Sequence, residues 1–368
     1  MRGNWFPRWL SPWLGVVVCS CGSSGQELME PAGNGGSSGA QDGGAEVGFD
    51  AAEEQSTGEE AGAGAGGAEA SAGDAAQEPA QPAIDPALPG PCNATAFDSK
   101  AGSIGVHCVV PSDGPYPAPY PAVLFAHGFQ IDSARYNAYI ERLGTYCYVG
   151  CTVDYNNLAS QEQDAAAMVA ALDWAIAESA KPSGPLAGKV DSARVGGMGH
   201  SRGGKAAVVA AAQDARFRAV LGLDPVNACP PLSSNCPDAV GMMSALAIPT
   251  GFLGETTDSQ SSGLGQACAP ADGNYQKFYQ AAQSPSLEVT VLGANHMSFV
   301  ADLDNCIACG LCKKATADHQ AVLELSLSYT VAFFERWLRE AASLDDYLTG
   351  SKAQERYVQS GQATLQSK

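Results

Sequence analysis

From Ser103 onward, short apolar runs rich in branched and aromatic residues alternate with segments of helical periodicity. "SIGVHCVV" (Ser103 to Val110), "PAVLFAHG" (Pro121 to Gly128) and "YCYVGCTVDY" (Tyr146 to Tyr155) read as strands, the second apolar enough to be buried on both faces. "ARVGGMG" (Ala193 to Gly199), "FRAVLGLD" (Phe217 to Asp224), "AIPTGFLG" (Ala247 to Gly254) and "SLEVTVLG" (Ser286 to Gly293) continue the series. A helix follows Ser160 and Gln163, which are spaced as a capping box, with Ala165, Val169, Leu172 and Ile176 on one face. "GKAAVVAAA" is a second helix, and Val322, Leu325, Tyr329, Phe333 and Trp337 mark a long third. The alternation predicts an α/β fold, a mostly parallel central sheet with helices on both faces. In such sheets the chemistry lies at the carboxyl ends of the strands.

The first 90 residues break this pattern. Arg2 and Arg8, the run "WLSPWLGVVV" and then "CSC" form a basic, an apolar and a small-residue zone, which reads as an export signal over residues 1–21. The apolar run is too short to span a bilayer. Val18-Cys19-Ser20-Cys21 resembles a bacterial lipobox with Cys21 as the lipidated thiol, so the expected partner at this end is a membrane reached through a lipid anchor. The expected location is the cell envelope or surface, and otherwise the periplasm or the medium.

Residues 22–90 are Gly, Ala, Ser and acidic residues without a Lys or Arg. Such a segment has little to bury against its own ordering entropy and is expected to be a disordered tether. Much of the net charge of −19 belongs to it. No basic cluster suggests a nucleic-acid partner. Residues 91–345 are then the folded domain, long enough for a single core, and residues 346–368 a polar tail without an assigned role.

Within the domain, Gly199-His200-Ser201-Arg202-Gly203 lies between a predicted strand and a predicted helix. G-x-S-x-G in that context is a nucleophile elbow, a turn so tight that flanking Cβ atoms would collide, with the hydroxyl thrust out at the sheet edge. The G-K-[ST] ending of a phosphate-binding loop is missing. His127-Gly128-Phe129 ends an upstream strand where a second oxyanion donor belongs, so the backbone N–H groups of Phe129 and Arg202 are the candidate oxyanion hole. His296 follows the last predicted strand and is the candidate general base. His107 falls inside a strand, His200 inside the elbow and His319 at the start of the last helix, while His127 is read as a packed residue. The order serine, acid, histidine is that of an α/β-hydrolase.

The segments "VLFAHGF", "GHSRGGKAA", "LGLDPV" and "NHMSF" resemble the chlorophyllase branch of the α/β-hydrolases. Their order and spacing are also similar to platelet-activating-factor acetylhydrolases and to dienelactone and polyester hydrolases. The resemblance implies an ester substrate and serine chemistry with no metal and no organic cofactor. It leaves two acids open. Asp224 in "LDPV" matches the position chlorophyllases use and is preferred. Asp258 in "GETTDS" matches the position most α/β-hydrolases use, and Glu255 is a third choice. Only Pro225 to Leu246 separates two strands where many lipases insert a large cap, so an open cleft suited to lipid-like, bulky or polymeric esters is expected. The competing reading is an inactive hydrolase scaffold used for binding or adhesion.

Ten cysteines fall in the domain, an even number behind an export signal, which reads as disulfides. "CIACGLC" (Cys306 to Cys312) has part of an iron–sulfur spacing but lacks its fourth ligand and proline. The expectation is that Cys306, Cys309 and Cys312 bridge to Cys229, Cys236 or Cys268. Cys92 is expected to pair with Cys108, and Cys147 and Cys151 with each other or with neighbours.

Overall fold

The computed structural model describes residues 84–155, 160–229, 236–261 and 267–368. The expected export signal, Cys21 and nearly all of the acidic segment lie outside them. Among the described residues nine strands form one sheet. They are β1 (Asn93–Ala101), β2 (Ile104–Asp113), β3 (Tyr120–Ala126), β4 (Val149–Asp154), β5 (Val190–His200), β6 (Phe217–Leu223), β7 (Thr250–Glu255), β8 (Ser286–Val291) and β9 (Ala363–Ser367). Their spatial order is β1-β2-β4-β3-β5-β6-β7-β8-β9. From β4 through β8 neighbouring strands run parallel, and β1, β2 and β9 are antiparallel at the two margins.

The α-helices among the described residues are α1 (Asn137–Thr145), α2 (Gln161–Ser179), α3 (Arg202–Gln213), α4 (Ala239–Met242), α5 (Tyr275–Ala281), α6 (His319–Leu338), α7 (Asp345–Leu348) and α8 (Ser351–Ala353). Strand β3 shows why both faces need cover: Ala122, Leu124 and Ala126 belong to the core cluster of α2 and α3, whereas Val123 and Phe125 belong to that of α1 and α6. With side chains alternating between faces, a seven-residue run buried throughout can only be a central strand. Ser160 caps α2 by accepting the Gln163 N–H at 3.4 Å.

Two boundaries differ from the sequence reading. The folded unit begins before residue 91: Asp85 pairs with Arg356 at 2.8 Å, and Tyr146 donates its hydroxyl to the Asp85 and Leu88 carbonyls. The segment 346–368 is not a loose tail, because it delivers β9 onto the edge of β8. Both β9 and the unforeseen β1 are marginal strands whose side chains stay largely half-buried or exposed, so they carry little apolar signal.

The ten domain cysteines form five disulfides: Cys92–Cys147, Cys108–Cys151, Cys229–Cys236, Cys268–Cys312 and Cys306–Cys309. Cys268–Cys312 falls within the expected set, but Cys306 and Cys309 bridge to each other. The expected Cys92–Cys108 pair does not form, because the β1/β2 register sets Phe97 opposite Cys108 and carries Cys92 to the far end of the hairpin. Cys108 instead faces Cys151 directly across β2 and β4. Five disulfides are the mark of an oxidising, exported location. Among the described residues, no helix is long and apolar enough to cross a membrane.

Candidate active site

Strand β5 ends at His200, and the chain turns into α3 through a single residue, Ser201, whose φ of 56° and ψ of −123° lie outside the ordinary regions for a side chain. Two glycines make this turn possible. A Cβ at Gly199 would run into the Gly203 backbone, and one at Gly203 into the Ala126 carbonyl of β3. Ser201 therefore sits at the amino end of α3, where the helix presents backbone N–H groups and positive potential.

The loop after β8 carries His296 to Ser201. Its Nε2 lies 2.8 Å from Ser201 Oγ, and its Nδ1 lies 2.6 Å from Asp224 Oδ2. Asp224 is the first residue past β6, has φ 42° and is fully buried. Burial pushes its carboxyl above the usual range, and the hydrogen bond and charge of His296 oppose that shift.

Asp258, three residues past β7, reaches the same histidine by a different atom. Its Oδ2 accepts the His296 backbone N–H at 2.9 Å, and its Oδ1 accepts the Lys313 backbone N–H at 2.9 Å. Glu255 does not contact the imidazole. Its Oε2 accepts the backbone N–H groups of Thr257 and of Asp258, and it shapes the turn that presents Asp258. Burial, with the Asp224 charge second, pushes the Glu255 carboxyl up to about 7.

Phe129 and Arg202, the expected oxyanion donors, lie side by side, with the Arg202 guanidinium 5.6 Å from the centre of the Phe129 ring. A residue that the sequence did not single out holds Arg202 in place. Buried Asp164 of α2 accepts Arg202 Nε at 2.5 Å and Nη2 at 3.0 Å. Its signal was a carboxylate beside the apolar face of α2. His127 is packed, its ring stacked on Tyr155 at 4.0 Å and its Nδ1 donating to the Gly128 carbonyl.

Asp258, Cys268 and Cys312 bring three potential metal donors within 4.8 Å. Both sulfurs are committed to a disulfide and both Asp258 oxygens to backbone N–H groups, so the set does not fit a metal. The Cys306 and Cys309 sulfurs are likewise bridged, which removes the thiolates an iron–sulfur cluster requires.

A cleft of about 400 Å³ is lined by Gln130, Arg135, Asn305, Ile307, Ala308 and Leu311, and so begins one residue past Phe129 in the chain. Ile307 and Leu311 are 91% and 78% exposed, on the loop closed by Cys306–Cys309 and Cys268–Cys312. Between Asp224 and β7, the described residues contain only α4 and one further short turn.

A parallel sheet with a serine elbow after β5 and a histidine loop after β8 is the arrangement of an α/β-hydrolase. Within that class, residues 103–355 match the family model for chlorophyllase, and the chain belongs to the chlorophyllase family. A curated relative, Chlorophyllase-1 of Arabidopsis thaliana, is 26% identical over 201 residues, which cover 50% of this chain and 60% of the relative.

Proposed function

We propose that this protein is a serine carboxylic-ester hydrolase acting through Ser201, His296 and Asp224. The observation that carries the reading is the continuous hydrogen-bond path from Asp224 Oδ2 through His296 to Ser201 Oγ, with links of 2.6 and 2.8 Å. Membership of the chlorophyllase family supports the ester class. In the acylation step His296 Nε2 takes the Ser201 proton while Oγ attacks the ester carbonyl. Asp224 keeps the imidazole Nδ1–H directed at itself and stabilises the imidazolium. The tetrahedral oxyanion is received by the N–H groups of Phe129 and Arg202, aided by the amino end of α3. Collapse expels the alcohol, which takes its proton from His296, and water repeats the sequence to release the acid.

For the substrate we propose a lipid-like, bulky or polymeric ester. The relative's name refers to chlorophyll. What supports an apolar, extended substrate for this chain is the cleft that begins at Gln130, with Ile307 and Leu311 standing exposed in its lining. Lipidation at Cys21 would hold the enzyme at a membrane surface.

The test is hydrolysis of p-nitrophenyl esters, from acetate to long chains, by the wild type and by Ser201→Ala. Loss of the nucleophile should lower turnover by roughly four to six orders of magnitude. Equal and negligible rates from two well-folded proteins would replace the enzyme by a binding scaffold.

A further inference from the structure

The residue before the serine of the elbow, His200, is fully buried and hydrogen-bonds both to Tyr136 and to the residue proposed as the base. Its Nε2 lies 2.9 Å from the backbone carbonyl of His296. A carbonyl only accepts, so Nε2 carries the proton, and in a neutral ring Nδ1 must then accept. The donor to it is present: the Tyr136 hydroxyl lies 2.7 Å from His200 Nδ1. The Tyr136 oxygen in turn accepts the Gly128 N–H at 3.4 Å. Burial, with the charge of His296 second, drives the His200 ring well below its usual range, which keeps it neutral and the direction of the chain intact.

The path therefore runs from the residue before Phe129, through Tyr136 and His200, to the peptide of His296. Every polar atom along it has a partner of the right kind. A side chain at Gly128 would crowd this path, since a Cβ there would lie 3.0 Å from both His200 Nδ1 and Tyr136 Oη. On the opposite side of the same residue, Asp258 holds the His296 N–H. The His200 and His296 rings also pack against each other, with centroids 4.6 Å apart.

We propose that His200 and Tyr136 are positioning residues that set the imidazole of His296 against the oxyanion loop. The inference rests on the reading of Ser201 and His296 as the reacting pair. Neither residue touches substrate. Their role is to keep the Phe129 donor on the loop after β3 and the base on the loop after β8 at a fixed separation, a requirement that a displacement of about 1 Å can convert into a 100-fold rate loss.

The experiment compares the full chain with His200→Phe, His200→Gln, Tyr136→Phe and Ser201→Ala, following kcat and KM separately on p-nitrophenyl acetate, with the melting transition of each. His200→Phe keeps an aromatic ring and loses both hydrogen bonds, and kcat should fall about 100-fold with KM within about twofold. His200→Gln retains an N–H toward the His296 carbonyl and should recover most of that loss. Tyr136→Phe removes one oxygen while preserving the stack on Phe125 at 4.8 Å, and should lower kcat roughly tenfold. If His200→Phe does not fold, Tyr136→Phe decides. A folded Tyr136→Phe or His200→Phe with wild-type kcat overturns the proposal, as does a His200→Gln no better than His200→Phe. A Ser201→Ala as active as the wild type would instead overturn the catalytic reading beneath it.

Discussion

The loops after β6 and β7 begin at the same edge of adjacent parallel strands, and each places a buried aspartate against His296. Asp224 touches the ring, and Asp258 touches the backbone. Asp224 comes one residue after its strand and points at an imidazole nitrogen. Its other oxygen has no hydrogen-bond partner among the described residues. Asp258 comes three residues after its strand, and its two oxygens are engaged by the N–H groups of His296 and Lys313. A carboxylate with both oxygens bound to backbone holds a loop in place, whereas one bound through a single oxygen to an imidazole can answer a change in its charge. Residue type and burial are the same for both; the bonding partner separates their tasks.

The sharpest way to break this comparison is to neutralise each aspartate with its amide. Asp224→Asn should cost about 10⁴ in kcat, because the amide no longer holds the working tautomer of His296. Asp258→Asn should cost far less, roughly ten- to a hundredfold, since it loosens the loop without removing the partner of the ring. Steady-state kinetics on one chromogenic ester checks both, and the reverse ranking would transfer the acid role to Asp258.

Removing the disulfide that lies beside Asp258, with Cys268→Ser and Cys312→Ser together, probes the loop from outside. Stability should fall by about 2–4 kcal/mol in a denaturant titration, with only a modest further change in kcat. An Asp258 role confined to loop anchoring also predicts that this variant and Asp258→Asn are not additive.

The smallest effect concerns Glu255, which stands between the two aspartates. Its carboxyl is pushed up to about 7 from an ordinary value of 4.5, so the folded state binds its proton more tightly than the unfolded chain does. This group's contribution to stability therefore declines as pH rises from about 4.5 to about 7, by at most about 3 kcal/mol. Glu255→Gln should flatten that part of the stability–pH curve. An unchanged slope in denaturant midpoints across this window would show that the carboxyl does not hold its proton.

The centre of the fold was legible in the sequence because central strands must be apolar throughout. "PAVLFA" and "ARVGGMG" have few alternatives, and the glycines about Ser201 state the elbow directly. The margins were not. β1, with its mixed polar side chains, and β9, with "ATLQS", are held mainly by hydrogen bonds to β2 and β8, and backbone pairing leaves no trace in side-chain type. Asp164 was hidden for another reason. A single carboxylate beside an apolar helix face is informative only when its cation is known, and Arg202 lies 38 residues away.

The sequence by itself determined the sheet's central strands, the position of Ser201 at a strand-to-helix turn and the order of serine, acid and histidine. Those are local properties, written in periodicity and in the space a glycine leaves. Only the tertiary structure decided which aspartate meets the imidazole, which cysteines meet and what the His200 ring touches. Each of those depends on the distance and direction between atoms far apart in the chain, and it is the register of the strands and the course of the loops that sets them.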